Sequence, residues 1–302
     1  IFDLTKRVSS RSVNKKNIES LAQAGAFDSF PNVHRAQYFY KYKDDSSFIE
    51  LAIRFGNNVK EQNSSSAFSL FGDTADAEIP EPEIPNTNPW QSFEKLQKEK
   101  EVTGIYISGH PLDDFELEIK HYTNTTFEDI ERFRDKDVTV ACMVSSVNKR
   151  MDKNGRPWAI VVMEDMDSTM EFAFFSEDYN KYLAFLDQGN RLMLKGFYKQ
   201  SYRDREKYEL KISQIEFLQD VLEKYSKGLR IMMHYKNLDE AIVERIYKIV
   251  SKHQGKKPFT VYLYDDNDQP LTFQSGKTGV RISKDLFHLL SEIPDIVVKL
   301  IV

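Results

Sequence analysis

Val138-Thr-Val-Ala-Cys-Met-Val-Ser-Ser-Val-Asn-Lys-Arg150 opens the stretch that decides the fold of this 302-residue chain. Its β-branched and other apolar residues predict a long strand. A turn at Asp152-Lys-Asn-Gly-Arg-Pro157 leads into a second strand, Trp158-Ala-Ile-Val-Val-Met163. Acidic turn residues Glu164 to Asp167 precede a third, Met170-Glu-Phe-Ala-Phe-Phe175. Residues Glu177 to Leu186 carry Tyr179, Tyr182, Leu183 and Leu186 at helical spacing. Gly189-Asn190 introduces a fourth strand, Arg191 to Tyr198, and a polar loop, Lys199 to Lys207, leads to a fifth, Tyr208 to Ile215. Three strands, one helix and two strands is the element order of an OB-fold, an all-β barrel placed here over 136–217.

Outward from the barrel, the chain reads as a multidomain protein. Residues 1–56 form an α-helical segment. Asn14 can cap a helix whose Ile18, Leu21 and Ala22 share a face, and Gly25 stops it. A second helix, His34 to Lys43, holds Tyr38, Phe39, Tyr40 and Tyr42, for which packing is expected rather than base stacking. A third spans Phe48 to Phe55. Residues 57–89, with Ser64-Ser-Ser66 and prolines at 80, 82, 85 and 89, bury little and read as a flexible linker. One apolar island, Ala67-Phe-Ser-Leu-Phe71, interrupts it. Either it docks in a partner's pocket or it folds back on its own domain. Residues 90–135 form a helical connector containing the sharp turn Ser108-Gly-His-Pro-Leu112. Residues 218–302 alternate strands and helices in the order βαββαβ, a C-terminal α+β domain of split-βαβ type.

Charge is distributed unevenly. The net charge is −5, yet residues 61–135 hold 17 acidic and 6 basic side chains, whereas residues 1–60 hold 6 and 10. The barrel is balanced at 13 of each, and residues 218–302 hold 11 acidic and 13 basic. A uniformly basic nucleic-acid binder is thereby excluded, while local basic sites are not. The single cysteine, Cys142, cannot form an internal disulfide and sits in an apolar strand, which fits an inert buried thiol in a reducing cytoplasm. No apolar run approaches the ~20 residues of a membrane span. The start Ile1-Phe-Asp-Leu is no signal peptide, and it begins mid-pattern as a fragment of a longer protein would.

Three acid pairs could in principle hold metals for nucleotidyl transfer: Asp135/Asp137, Asp165/Asp167 and Asp266/Asp268. Each falls in a predicted turn with no third acid beside it, so turn chemistry explains them better. Gly276-Lys-Thr278 resembles the end of a phosphate loop, but Leu271 stands where the first glycine is required. His110 lacks ligand-spaced neighbours and reads as a turn residue. No metal or cofactor site is expected in this segment, and no catalytic one. The barrel's loops are the better candidates. Lys149, Arg150, Lys153 and Arg156 surround loop 1-2, with Trp158 at the start of strand two. Lys199, Tyr202, Arg203, Arg205 and Lys207 crowd loop 4-5. Cations that track phosphates beside rings that stack on bases are what single-stranded DNA binding needs.

Two further segments carry a resemblance. Val13-Asn-Lys-Lys-Asn-Ile-Glu-Ser-Leu-Ala-Gln-Ala-Gly-Ala-Phe-Asp-Ser-Phe30 resembles the end of the fingers region in the alpha subunits of bacterial DNA polymerase III. Glu99-Lys-Glu-Val-Thr-Gly-Ile-Tyr-Ile-Ser-Gly-His-Pro-Leu112 resembles that family's segment before its OB domain, and barrel and tail follow in the same order. The resemblance implies a non-catalytic C-terminal piece of a replicative polymerase. The catalytic aspartates, which use Mg²⁺, and the glycines of a helix-hairpin-helix would precede Ile1. Ala67, Phe68, Ser69, Leu70 and Phe71 lie at the position of the family's sliding-clamp motif, with Ala67 where its glutamine is expected. The last domain inherits by position a contact with the clamp-loader tau subunit. Two other functions are kept beside this one. One is an assembly scaffold whose barrel touches no nucleic acid. The other is an anticodon-binding fragment of an aminoacyl-tRNA synthetase.

Overall fold

A computed structural model describes residues 1–9, 13–68, 79–202, 204–266, 270–274 and 279–302, with only the backbone at 65–68 and 270. The chain divides into two compact units, Ile1–Pro111 and Leu112–Val302. The expected connector 90–135 is therefore split between them at Pro111.

The first unit is helical: α1 (Phe2–Arg7), α2 (Lys15–Gln23), α3 (Arg35–Tyr38), α4 (Phe48–Phe68) and α5 (Ser92–Thr103). Asn14 caps α2 as its sequence predicts, accepting the Asn17 N–H at 3.0 Å. Ile18, Ala22, Phe27, Tyr38, Phe48 and Ile49 form the core. Tyr38 is buried against Phe27 and Phe48, so the packing role expected for it holds. Two helix lengths differ from expectation. The second helix stops at Tyr38. The third does not end at Phe55 but runs on to Phe68, through a glycine that reads locally as a breaker. Gly56 is needed for close approach: a Cβ there would lie 2.5 Å from the Thr5 carbonyl oxygen of α1.

The tract expected to be a free linker is also partly bound to this unit. His34 Nε2 lies 3.0 Å from the Thr87 carbonyl, and Gln37 donates to the Pro85 carbonyl at 2.8 Å. These bonds satisfy backbone acceptors that an extended segment would otherwise bury unpaired. A buried ion pair closes the unit. Arg35 reaches Glu99 at 2.9 Å and Asp28 at 2.7 Å. Glu99 also accepts from the Ser108 hydroxyl and from the amides of Ile107 and Ser108. Burial opposes its ionisation, but these donors outweigh burial and hold the carboxyl down at about 2.

The second unit begins with α6 (Glu116–Tyr122). The barrel strands are β1 (Lys136–Met151), β2 (Pro157–Glu164), β3 (Thr169–Phe175), β4 (Arg191–Gln200) and β5 (Tyr208–Phe217), with α7 (Ser176–Tyr182) between β3 and β4. The sheet order is β3-β2-β1-β4-β5, all antiparallel, with β3 and β5 at its two edges. This is the OB-fold expected from the sequence, in the partly open form of that barrel. Val138, Val140, Cys142 and Val144 of β1 face a core shared with Val161, Phe172, Phe174 and Tyr182. Burial pushes the Cys142 thiol up, in keeping with an inert side chain.

Helix α8 (Leu218–Tyr225) joins the barrel to β6 (Gly228–His234), α9 (Glu240–Lys252), β7 (Gln254–Gly255), β8 (Phe259–Tyr264), β9 (Pro270–Gln274), β10 (Gly279–Val280), α10 (Lys284–Ser291) and β11 (Ile296–Ile301). The element order matches expectation, with the small ribbon β7–β10 added. The topology does not. The sheet runs β11-β6-β8-β9 with β6 and β8 parallel neighbours, so the βαβ unit is not split. β9 follows β8 by a hairpin and pairs on its outer edge, which leaves nothing to insert between β8 and β6. One contact ties α6 to this domain. Glu118 is fully buried, neither carboxylate oxygen has a hydrogen-bond partner, and Lys284 Nζ stands 3.6 Å away. Lys284 also donates to the Asp114 carbonyl and lies over the Phe115 ring at 3.7 Å.

Candidate nucleic-acid interface

The outer face of the barrel follows from strand alternation. Ala159, Val161 and Met163 of β2 are buried, so Trp158, Ile160 and Val162 point outward. Trp158 is therefore on the outside, where a base could reach it. The irregularity in β1 between Val144 and Ser146 resets the facing of its second half. Arg150, Trp158 and Phe175 become neighbours in one cross-strand row. The Trp158 and Phe175 rings stack at 5.2 Å and 20°, and the Arg150 guanidinium lies 5.5 Å from the indole. Phe175 remains 44% exposed. An aromatic pair with a cation beside it is a surface on which a base can stack.

Loop 1-2 is held rigid by Asp152, which accepts the amides of Asn154 and Arg156, both at 2.8 Å. Gly155 takes φ +74 there, as the turn requires. Lys153 and Arg156 are exposed on it. Lys149 pairs with Ala159, a core position, and so belongs to the face opposite Arg150.

Between the edge strands β3 and β5 lies a groove of about 660 Å³. Phe175 lines it from β3 and Tyr208 from β5, while Lys199 and Tyr202 line it from the β4–β5 side. Tyr202 is 98% exposed. Of the remaining loop 4-5 residues, Arg205 is exposed, Lys207 is paired with Asp204 at 3.4 Å, and Arg203 lies outside the described residues. The groove is aromatic but not basic, for Glu171, Asp178 and Glu209 face Lys199 and Lys211. At its end Arg134 lies 4.8 Å over the Tyr208 ring. Tyr198 donates to Glu131 at 2.5 Å, and burial together with that bond pushes the phenol up to about 12.

The structure thus brings Arg150 and Trp158 together, brings Lys199 and Tyr202 into the groove, and separates Lys149 from both. Phe175, Tyr208 and Arg134 were not predicted. Alternation could have found Phe175, because Phe172 and Phe174 already occupy the inner face.

Of the acid pairs, only Asp165/Asp167 shows the hydrogen bonds of a turn, while Asp137 lies within β1 and Asp268 lies outside the described residues. Asp165 accepts the amides of Phe127, Asp167 and Ser168, and Asp266 is bound by Lys236 and His234. Among the described residues no three His, Cys, Asp or Glu side chains gather as a metal site would require. The His110 ring sits edge-on to Tyr106 at 5.0 Å. Ala67 and Phe68 end α4 with backbone alone, and Ser69, Leu70 and Phe71 lie outside the described residues. No helix among the described residues is long and apolar enough to cross a membrane.

Comparison with known proteins adds the following. Residues 229–301 match the family described as the C-terminal domain of the DNA polymerase III alpha subunit. Residues 138–218 match an OB-fold nucleic acid binding domain, and residues 1–38 match a helix-hairpin-helix motif. The last match starts at Ile1, so the chain holds at least part of a motif whose glycines were expected upstream. DNA polymerase III subunit alpha of Saccharopolyspora erythraea is 34% identical over 193 residues, 61% of this chain and 16% of that protein. The Vibrio cholerae protein of the same name is 28% identical over 87% of this chain and 22% of its own length. That of Pasteurella multocida is 25% identical over 97% of this chain. The chain thus spans a quarter or less of the length of these relatives. Among solved structures, the second OB-fold domain of replication protein A from Methanococcus maripaludis overlaps 31% of this chain and 94% of its own, at 14% identity and a TM-score of 0.21.

Proposed function

We propose that this chain, similar over most of its length to the C-terminal region of DNA polymerase III alpha subunits, is a non-catalytic segment of such a subunit that holds single-stranded template DNA on its barrel. The observation that carries the reading is the Arg150–Trp158–Phe175 row, whose Phe175 lines a groove that also takes in Tyr202 and Lys199. Bases stack on the rings, and Arg150, Lys153 and Arg156 meet phosphates. Arg203, Arg205 and Lys207 are assigned the same phosphate role on loop 4-5. The carboxylates in the groove keep the affinity of the isolated chain no better than about micromolar.

The parent polymerase uses Mg²⁺ at aspartates outside this chain, and the proposed setting is the cytoplasm. Ala67 to Phe71 is the proposed sliding-clamp peptide, and residues 218–302 the proposed contact with the clamp-loader tau subunit. Both rest on similarity and position. Replacing Leu70 and Phe71 together with Ala removes two anchors whose insertion into a clamp pocket would be worth roughly 1.5–3 kcal/mol each, so clamp binding falls below detection. Clamp binding like the wild type by that variant rejects the peptide.

The assembly-scaffold reading has one observation in its favour, the carboxylates Glu171, Asp178 and Glu209 along the groove. A salt series of single-stranded oligonucleotide binding separates the two. The template-holding reading expects an affinity that falls steadily with salt. Absence of binding even at low salt leaves the scaffold. Template-dependent extension by these 302 residues with nucleotides and Mg²⁺ rejects the non-catalytic assignment.

A further inference from the structure

The C-terminal sheet has two unlike faces. On one, Leu229, Ile231 and Met233 of β6 and Phe259 and Leu263 of β8 enter a core with Leu286 and Leu290 of α10. The other face reads from the strand register in three rows. The first runs Lys299, Arg230, Thr260, Gln274 across β11, β6, β8 and β9. The second runs Val297, Met232, Tyr262, Thr272, and the third holds His234 beside Tyr264. Arg230, Met232, His234, Tyr262 and Tyr264 are half-buried, and Val297 is 50% exposed. Met232, Tyr262 and Tyr264 take no part in the core. The rings form a chain, with Tyr262 to Tyr264 at 6.5 Å, Tyr264 to His234 at 5.4 Å and His234 to Tyr235 at 5.1 Å.

Charge identifies the occupant. No strand position on this face is Asp or Glu, while Arg230 and Lys299 stand side by side in its first row. The buried Arg230 Nε has no hydrogen-bond partner. Of the acids off the strands, Asp266 lies beyond the third row and is bound by His234 and Lys236, and the exposed Asp295 immediately precedes β11 at the far edge of the sheet from Tyr262 and Tyr264. A face that carries cations on β11 and β6 and two tyrosines on the neighbouring β8 suits a chain of alternating phosphates and flat rings. The core of a protein–protein interface is instead depleted of charge, and a duplex hides its base faces. We propose that this face of the C-terminal sheet binds single-stranded nucleic acid, with bases stacked on Tyr262 and Tyr264 and phosphates along Arg230 and Lys299. The site is separate from the barrel and does not depend on it.

The test uses the whole chain and a fluorescent oligothymidylate at low salt, with Trp158→Ala as the background in which barrel binding is weakened. In that background residual binding persists. Adding Tyr262→Ala and Tyr264→Ala weakens it by about tenfold or more, because each stacked base is lost with its ring. Tyr262→Phe with Tyr264→Phe keeps the rings and restores the affinity. Arg230→Gln with Lys299→Gln flattens the plot of log K against log[salt] by about 1.4, two phosphate contacts on a single strand. This charge pair carries the test should the alanine pair fail to fold by circular dichroism. Unchanged binding on loss of both tyrosines, or an unchanged salt slope in the charge variant, overturns the site. Trp158→Ala abolishing all binding by itself also overturns it, and leaves the barrel reading standing.

Discussion

The barrel and the C-terminal sheet both offer aromatic surfaces, and they differ in where their carboxylates lie. In the barrel, Glu171, Asp178 and Glu209 line the same groove as Phe175 and Tyr202. On the C-terminal sheet, acids are absent from the strand positions of the open face, Asp266 at its end is bound by Lys236 and His234, and Asp295 stands just before the edge strand β11. Net charge conceals the contrast, since the barrel is balanced and the last 85 residues nearly so. A ring is a platform for a base only where the charges around it leave room for the phosphate. Placement of charge, rather than its sum, therefore separates a mixed groove from a cationic face.

The strongest way to break this comparison is to disturb the faces themselves. Phe172→Ala, on the inner side of β3, is expected to cost about 3–5 kcal/mol of stability. Trp158→Ala, on the outer side of the adjoining strand, is expected to cost well under that. Urea denaturation of the two variants checks the assignment, and a comparable loss at Trp158 means that it belongs to the core. Next in size, Trp158→Ala should weaken single-strand binding by about 1–3 kcal/mol with little change in salt slope, since it removes stacking and no phosphate contact. Fluorescence anisotropy at several salt concentrations reads both quantities. The smallest effect sharpens the contrast in charge. Glu171→Gln with Glu209→Gln should tighten binding to the barrel by about 0.5–1 kcal/mol at low salt, the scale of exposed charge pairs, and the gain should vanish at high salt. A loss of affinity in that variant assigns these carboxylates a contact with the bases.

The sequence was most legible where local pattern and tertiary role agree. The five barrel strands and their helix could be read because β-rich runs between turn residues mark elements, but the all-apolar run Trp158 to Met163 does not record which face is covered, so the burial of Val161 could not be read. Gly56 could not be read, because its purpose is the close passage of Thr5 in a distant helix. The same holds for Glu99, whose partners Arg35 and Ser108 come from two segments that no local spacing connects. At the candidate site the basic loops were visible, but their convergence was not. Lys149 and Arg150 are neighbours in the chain and lie on opposite faces, while Phe175 and Tyr202 are far apart in the chain and share a groove. The order of strands in the C-terminal sheet failed for a related reason. Element order restricts topology, but only the pairing of β6 with β8 distinguishes a split from an unsplit crossover.

Glu118 turns the seam between α6 and the C-terminal domain into a proton-linked joint. Burial pushes its carboxyl above the ordinary range, and Lys284 only partly opposes this. A raised carboxyl contributes stability that is fully present below its unfolded pKa and is lost as pH rises through its folded one. Forming the seam therefore takes up a proton, and mild acid tightens it. Glu99 in the helical unit has the reverse sign. Held at about 2, it contributes stability that is complete above the usual carboxylate pKa and is lost as pH falls toward that value. One chain thus carries two acid responses of opposite direction. On descending pH the seam around Glu118 should firm before the Arg35–Glu99 pair lets go, so acid should loosen the helical unit first.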